Sequence, residues 1–171
     1  MKRFLFLLLT VVSLSASAQD TMPMLKFGYL SYEAVLQSMP DYTIVETGMA
    51  ELQEQYAAEQ KRVEDEFNKK YEEFLEGQHD FPSTILQKRQ NELQELLDKN
   101  IAFKKESQRL LTEAKNKALA PLKARLADAL AKVGTANDLA FILNTDQNVA
   151  PWINVEMGIN VTEAVQTALE N

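Results

Sequence analysis

Two long stretches in the middle of the chain place apolar residues three and four positions apart, which is the spacing of one face of an α-helix. The first stretch runs from Tyr42 to Glu76 and the second from Ser83 to Val133. In both, the apolar stripe is thin and is surrounded by charged and amide side chains. Helices this long with so narrow a stripe cannot form the wall of a globular core, so the pattern predicts a coiled-coil arm.

The apolar stripes predict the seam, the line along which the two helices touch. In the first helix it comprises Met49, Leu52, Tyr56, Val63, Phe67, Tyr71 and Phe74. In the second it includes Leu86, Leu93, Leu97, Ile101, Leu111, Ala114, Ala118, Leu122, Leu126 and Val133. Gly77 and Pro82 interrupt the pattern between the two helices. Because this connection is short, residues 41–133 are predicted to form an antiparallel hairpin with its tip near residues 77–82.

Short strand patterns occupy both ends of the chain. Leu25, Phe27 and Tyr29 alternate onto one face of an extended segment. Residues 139–143 form a short apolar run between polar residues, and residues 152–155 are a further strand candidate. Strands are therefore expected at the two ends, with the helical hairpin between them.

Neither end is large enough to bury much apolar surface alone. Residues 19–40 precede the hairpin, and residues 134–171 follow it and close with an amphipathic helix over residues 161–169. We expect the two ends to pair at the base of the hairpin. The predicted fold class is therefore α+β, a long antiparallel helical hairpin projecting from a small β body. Since a small sheet leaves open edges, assembly into an oligomer is also expected.

The first 18 residues have the pattern of a cleaved secretory signal. Lys2 and Arg3 precede a short apolar run that ends at Ser17-Ala18. The run is about half the length of a membrane-spanning helix, so a membrane anchor is disfavoured. Cleavage after Ala18 would leave 153 residues with 16 basic and 25 acidic side chains, a net charge of -9. The segment predicts export, and in a Gram-negative cell the destination would be the periplasm.

The composition argues against reactive chemistry. The 171 residues include no cysteine and a single histidine, His79, which removes zinc fingers, Fe–S clusters, disulfide scaffolds and thiol nucleophiles. No acid, base and nucleophile set and no Gly-rich phosphate loop are present in the sequence. We therefore expect a protein that is not an enzyme and that uses no cofactor or metal. The formal charge of -7 disfavours a nucleic-acid partner.

Charge is divided unequally between the two halves of the hairpin. Residues 41–76 carry a net charge of -7, and residues 77–133 carry +4. Opposite charges beside a thin seam can set the pairing and orientation of two helices. The alternative is that the two imbalances are solvated faces that do not meet.

The order of these features resembles the Skp/OmpH family of periplasmic chaperones. The resemblance is carried by the strand Leu25–Leu30, the charged hairpin, the segment Asp138–Leu143 and the terminal helix beginning at Val161. It implies a homotrimer whose body is a small β-barrel and whose three hairpins project as tentacles around a cavity. It also implies an ATP-independent holdase that keeps unfolded outer-membrane proteins from aggregating. Because the mature chain is acidic while the best-known members are basic, lipopolysaccharide or membrane-surface binding is not inferred.

A competing hypothesis is a periplasmic coiled-coil adaptor or spacer that docks on one fixed partner. For a chaperone, the candidate client contacts are apolar residues near the tip, although packing of all of them in the seam is an open alternative. These candidates are Phe67, Tyr71, Phe74, Leu75, Phe81, Ile85 and Leu86. The residues expected to form the body and its subunit contacts are Leu25, Phe27, Tyr29, Phe141, Ile142, Leu143 and Trp152.

Overall fold

A computed structural model describes residues 25–170. The predicted signal segment, residues 1–18, lies outside this range. The elements in chain order are β1 (Phe27–Leu30), α1 (Tyr32–Ser38), α2 (Pro40–Gly77), α3 (Ser83–Ala136), β2 (Phe141–Asn144), β3 (Gly158–Asn160) and α4 (Thr162–Glu170). Within the described range, every helix is too short or too polar to cross a bilayer.

Helices α2 and α3 form the predicted long antiparallel hairpin. They contain 38 and 54 residues, which corresponds to about 57 and 81 Å at 1.5 Å per residue. Contacts along their whole length fix the pairing. Near the middle, Asn100 Nδ2 donates a 3.1 Å hydrogen bond to the Val63 carbonyl, and the rings of Tyr56 and Phe103 lie 6.3 Å apart.

The unequal charges of the two helices contribute little to this pairing. Of the ion pairs among the described residues, only Glu46–Lys115 at 3.0 Å and Asp41–Arg125 at 2.6 Å connect α2 with α3. Both lie toward the base of the hairpin. The other pairs join residues three or four apart on one helix. The alternative therefore holds over most of the hairpin, where the acidic face of α2 and the basic face of α3 do not meet in ion pairs.

The seam of α3 differs from the predicted one in its middle section. Leu97 and Ile101 are exposed, whereas Leu96, Asn100 and Phe103 are partly buried. The prediction was wrong here because a polar residue, Asn100, holds a seam position through its hydrogen bond to the backbone of α2. Apolar periodicity cannot reveal such a position.

The three strands form one parallel sheet in the order β2-β1-β3. Phe27 pairs with Phe141 on one side and with Gly158 on the other. The predicted strand at residues 152–155 is absent, and the third strand is β3 instead. Gly158 permits this pairing because a Cβ there would lie only 2.6 Å from the Phe27 ring. β1, from the beginning of the chain, is the central strand that joins the two later strands.

A short helix, α1, follows β1 and was not predicted. The Ser31 hydroxyl caps it by accepting a hydrogen bond from the Ala34 N–H. The Asp146 carboxylate, just after β2, accepts hydrogen bonds from the Ser31 hydroxyl at 2.5 Å and from the Glu33 N–H at 2.8 Å. These bonds lower the pKa of Asp146, the Ser31 hydroxyl having the larger effect. Asp146 thus ties the start of α1 to the end of β2.

The hydrophobic core lies where the base of the hairpin meets both chain ends. α3 contributes most of it, and its buried residues begin at Leu119 and end at Val133. The ends of the chain supply the remainder: Leu30, Val35, Leu36, Met39, Val161 and Val165. The last turns of α3 therefore belong to the body as well as to the hairpin.

We predict that Leu126→Ala lowers the free energy of unfolding by about 2–5 kcal/mol, because it leaves a cavity at a fully buried position of this core. Leu97→Ala on the same helix is the matched control and should cost less than about 1 kcal/mol, since its side chain is already exposed. Urea unfolding at one fixed protein concentration measures both. Equal losses would contradict the placement of the core.

We also predict that Asp146→Asn destabilises the protein by about 1 kcal/mol near neutral pH, because hydrogen bonds to a charged acceptor are the stronger ones. The folded-state pKa of Asp146 is lowered, so its stabilising effect is present above the unfolded-state value of about 4 and is lost as pH falls below it. The difference between variant and wild type should accordingly shrink as pH falls below about 4 toward the lowered folded-state pKa. Asp128→Asn, on an exposed face of α3, serves as control. A pH-independent difference would contradict this role.

Candidate functional site

The seven apolar residues predicted near the tip divide into two groups. Tyr71, Leu75 and Ile85 are exposed. The other four are partly buried: Phe67, Phe74, Phe81 and Leu86. The distal part of the hairpin thus presents large apolar side chains to solvent while burying others along the seam.

One partly buried aromatic residue, Phe67, packs directly on an exposed one, Tyr71. The Phe67 and Tyr71 rings stack with centroids 6.0 Å apart and an interplanar angle of 8°. Since Phe67 is partly buried and Tyr71 is exposed, the stack fixes an aromatic surface on α2. At the tip, Phe81 packs over Gly77, where a Cβ would approach within 2.6 Å of the Phe81 ring.

A cleft of about 230 Å³ opens beside the tip between α2 and α3. Its apolar lining is Phe74, Phe81 and Leu93, and its charged lining is Lys70, Glu73, Arg89 and Glu92. Glu92 lies 2.9 Å from Arg89 and 3.7 Å from Lys88. The cleft exists because Arg89 stands between Leu86 and Leu93, where an apolar residue would have filled the seam. This gap in the apolar spacing is the sequence signal that the seam analysis missed.

The body has a second exposed apolar surface. Phe27 stacks on Phe141 with ring centroids 5.7 Å apart, and Tyr29, Ile142 and Leu143 are partly buried. Leu25, Phe141 and Trp152 are exposed, and the exposed fraction of Trp152 is 79%. In this single chain, therefore, only part of the predicted body set is covered.

The connection between β2 and β3 carries most of that exposed surface. Val149, Val155 and Met157 are exposed on it together with Trp152. Gln147 and Asn148 both adopt positive φ angles of 53° and 60°, a conformation that is uncommon for residues other than glycine. β2 and β3 are also the two outer strands of the sheet, so each has one side without a partner strand among residues 25–170.

The ionisable groups form no recognisable reactive arrangement in the part of the chain that the structure describes. Residues 25–170 contain no cluster of three or more histidine, aspartate or glutamate side chains able to hold a metal ion. Most carboxylates on the hairpin that form ion pairs do so with a cation on the same helix, such as Glu59 with Arg62 and Glu106 with Arg109. His79 is exposed in the turn at the tip.

Comparisons with known proteins agree with this architecture. A solved structure described as an outer membrane chaperone (OmpH-like) from Caulobacter crescentus CB15 superposes with a TM-score of 0.62. It is 17% identical, and the match covers 84% of this chain and 83% of that chain, so it establishes the fold. No curated protein matches the chain in sequence. The family model described as Outer membrane protein (OmpH-like) matches residues 26–169. The chain therefore belongs to the OmpH-like family.

Proposed function

We propose that this protein is an ATP-independent periplasmic holdase that binds unfolded outer-membrane proteins between the hairpins of a homotrimer and prevents their aggregation. The observation that carries the proposal is the exposure of large apolar side chains on the distal hairpin, far from the core of an OmpH-like fold. Tyr71, Leu75 and Ile85 all present apolar surface to solvent, although Tyr71 also stacks on Phe67. Contact with unfolded polypeptide chains would account for the exposure of these three apolar side chains.

Distributed apolar contacts suit a holdase. An aromatic contact contributes about 0.5–1.5 kcal/mol, so one such contact is weak and readily reversed. Several contacts on linked hairpins add their effects through a high effective concentration. Such a surface holds many different sequences and releases each of them without nucleotide hydrolysis, which agrees with the absence of a Gly-rich phosphate loop from the sequence.

Assembly into a homotrimer would cover the second apolar surface. The β2–β3 connection exposes Trp152 together with Val149, Val155 and Met157. Exposed patches of this kind mark interaction sites, and unpaired strand edges are normally covered. Closed assembly of three bodies would place three hairpins around one cavity.

The proposed location is the periplasm, reached through the predicted signal segment of residues 1–18. Binding to lipopolysaccharide or to a membrane surface is not part of the proposal. At the tip, Glu92 pairs with both Lys88 and Arg89, and Glu76 and Asp80 add negative charge that offsets the remaining positive charge.

We predict that Tyr71→Ser combined with Phe74→Ser weakens suppression of porin aggregation several-fold, because it removes two of the distal aromatic contacts. Light scattering after dilution of urea-unfolded porin measures the effect. Ile44→Ser, which removes an exposed apolar side chain near the base of α2, is the matched control and should leave suppression unchanged. Circular dichroism and native mass should confirm an intact assembly.

Unchanged suppression by an intact double variant would refute the role of the distal aromatic residues. The same assay with several unrelated unfolded outer-membrane proteins separates the two functional hypotheses. A holdase protects all of them, whereas an adaptor with one fixed partner protects none or one.

We predict that the assembled protein shields its only tryptophan, Trp152, which is 79% exposed in the single chain. Its emission should be blue-shifted and poorly quenched by acrylamide at micromolar concentration, where sedimentation should give three times the chain mass. Dilution should shift the emission to the red as subunits separate. A monomer at micromolar concentration, or a fully quenchable tryptophan in the trimer, would contradict the proposed interface.

A further inference from the structure

Leu97 and Ile101 are exposed apolar residues in the middle of α3 that the seam does not use. Their exposed fractions are 39% and 60%. They lie four residues apart and therefore on one face of the helix. Single exposed apolar residues are ordinary on protein surfaces, so their significance depends on what lies beside them.

Leu97 and Ile101 lie on the same side of the hairpin as the Glu46–Lys115 ion pair. We call this side the Glu46 flank. Leu97 precedes Lys115 by 18 residues of α3, which is five full turns at 3.6 residues per turn. Ile101 precedes Lys115 by 14 residues, so its direction differs from that of Lys115 by about 40°. Both therefore point in nearly the same direction as Lys115.

Two of the exposed tip residues lie on the same flank. Tyr71 follows Glu46 by about seven turns of α2 and Leu75 by about eight, at 3.6 residues per turn. Ile44, which is 71% exposed, lies about 160° around the axis of α2 from Glu46, at 100° per residue. Four exposed apolar side chains thus share one flank of the hairpin, and an exposed isoleucine elsewhere provides a natural comparison.

At the base of the hairpin, the Glu46 flank adjoins the side of α3 that packs on the body. Leu119, Leu126 and Val133 of α3 lie within about 40° of the direction of Lys115, at 100° per residue, and all three are buried in the core. Between that core and Leu97, a shallow groove of about 270 Å³ opens beside the ion pair. It is lined by Glu46, Met49, Ala50, Gln53, Leu111, Thr112 and Lys115. The apolar flank is therefore continuous with the side of α3 that packs on the body.

The four apolar residues are evenly spaced along the hairpin. The Asn100–Val63 hydrogen bond sets the pairing, and it places Leu97 level with residue 66 of α2 and Ile101 level with residue 62. Measured along the hairpin axis, Leu75, Tyr71, Leu97 and Ile101 therefore follow one another at intervals of about 6–8 Å, given a rise of 1.5 Å per residue. The step from Tyr71 to Leu97 also crosses from α2 to α3, whose axes are about 8–10 Å apart. Alternate side chains of an extended chain are about 6.6–6.8 Å apart, which is close to the spacing of the two residues on each helix.

A positive charge follows the apolar series toward the base. Lys104 lies within about 20° of the direction of Lys115, at 100° per residue. It forms no ion pair among residues 25–170, whereas Lys115 pairs with Glu46. In an acidic protein, Lys104 is an available partner for a carboxylate at the end of the apolar series.

We propose that the Glu46 flank binds an extended segment of unfolded polypeptide whose apolar side chains occupy every second position and whose carboxylate lies against Lys104. This inference rests on the proposed holdase function and specifies its substrate as strand-forming segments rather than any exposed apolar chain. Alternation of this kind is the pattern of a strand that has one apolar face.

The test uses the purified protein and a labelled synthetic peptide that repeats the segment Leu-Thr-Leu-Thr-Leu-Thr-Leu-Asp, with binding followed by fluorescence anisotropy. Leu97→Ser combined with Ile101→Ser should weaken binding about tenfold, because it removes two aliphatic side chains that the bound peptide would cover. Ile44→Ser is the matched control and should bind as wild type. A peptide of the same composition with its leucines consecutive should bind wild type about tenfold more weakly than the alternating one.

Lys104→Glu provides a second test that removes no apolar contact. It should weaken binding of the alternating peptide and strengthen binding of a version with Lys in place of Asp. The inference is overturned if the double variant binds as wild type, if Ile44→Ser loses as much affinity, or if both leucine patterns bind equally. Suppression of porin aggregation by wild type in the same preparation then shows that the holdase proposal survives. Its absence would refute the holdase proposal itself.

Discussion

The packing of the last turns of α3 against both chain ends is the contact on which the rest of the structure depends. The buried residues between Leu119 and Val133 form one side of the core, and β1, α1 and α4 form the other. The two ends are more than 100 residues apart in sequence, and this contact brings them together with the parallel pairing of β1 with β2 and β3. Asp146 reinforces the junction by holding the start of α1.

This anchoring allows the hairpin to be long while its own seam stays weak. Outside the body, the seam consists of single apolar residues with polar members such as Gln60, Asn100 and Ser107 among them. A polar seam residue specifies register at a cost in stability. Because the base fixes the orientation of both helices, the distal part does not need to bury every apolar side chain. Side chains such as Tyr71 and Ile101 are therefore available for other contacts.

The hairpin and its turn could be predicted from the sequence, because helical periodicity persists over many turns. The pairing of the chain ends could be predicted because neither end is large enough to bury much apolar surface alone. Details that depend on distant partners could not. α1 is capped by Ser31, but its start is also held by Asp146, more than 100 residues away. β3 depends on the fit of the Phe27 ring over Gly158. The seam position of Asn100 depends on a carbonyl of the other helix. For the candidate site, the sequence indicated the distal cluster of apolar residues. It did not reveal which of them are exposed or that Leu97 and Ile101 continue the series.

Native-state hydrogen exchange tests most directly whether the hairpin is held at its base. The account predicts that the slowest amides lie in β1 and in the part of α3 between Leu119 and Val133, with free energies of opening close to that of global unfolding. Amides of α2 and α3 near the tip should exchange through local opening of much lower free energy. Equal protection along the whole hairpin, or slower exchange at the tip than at the base, would contradict this account.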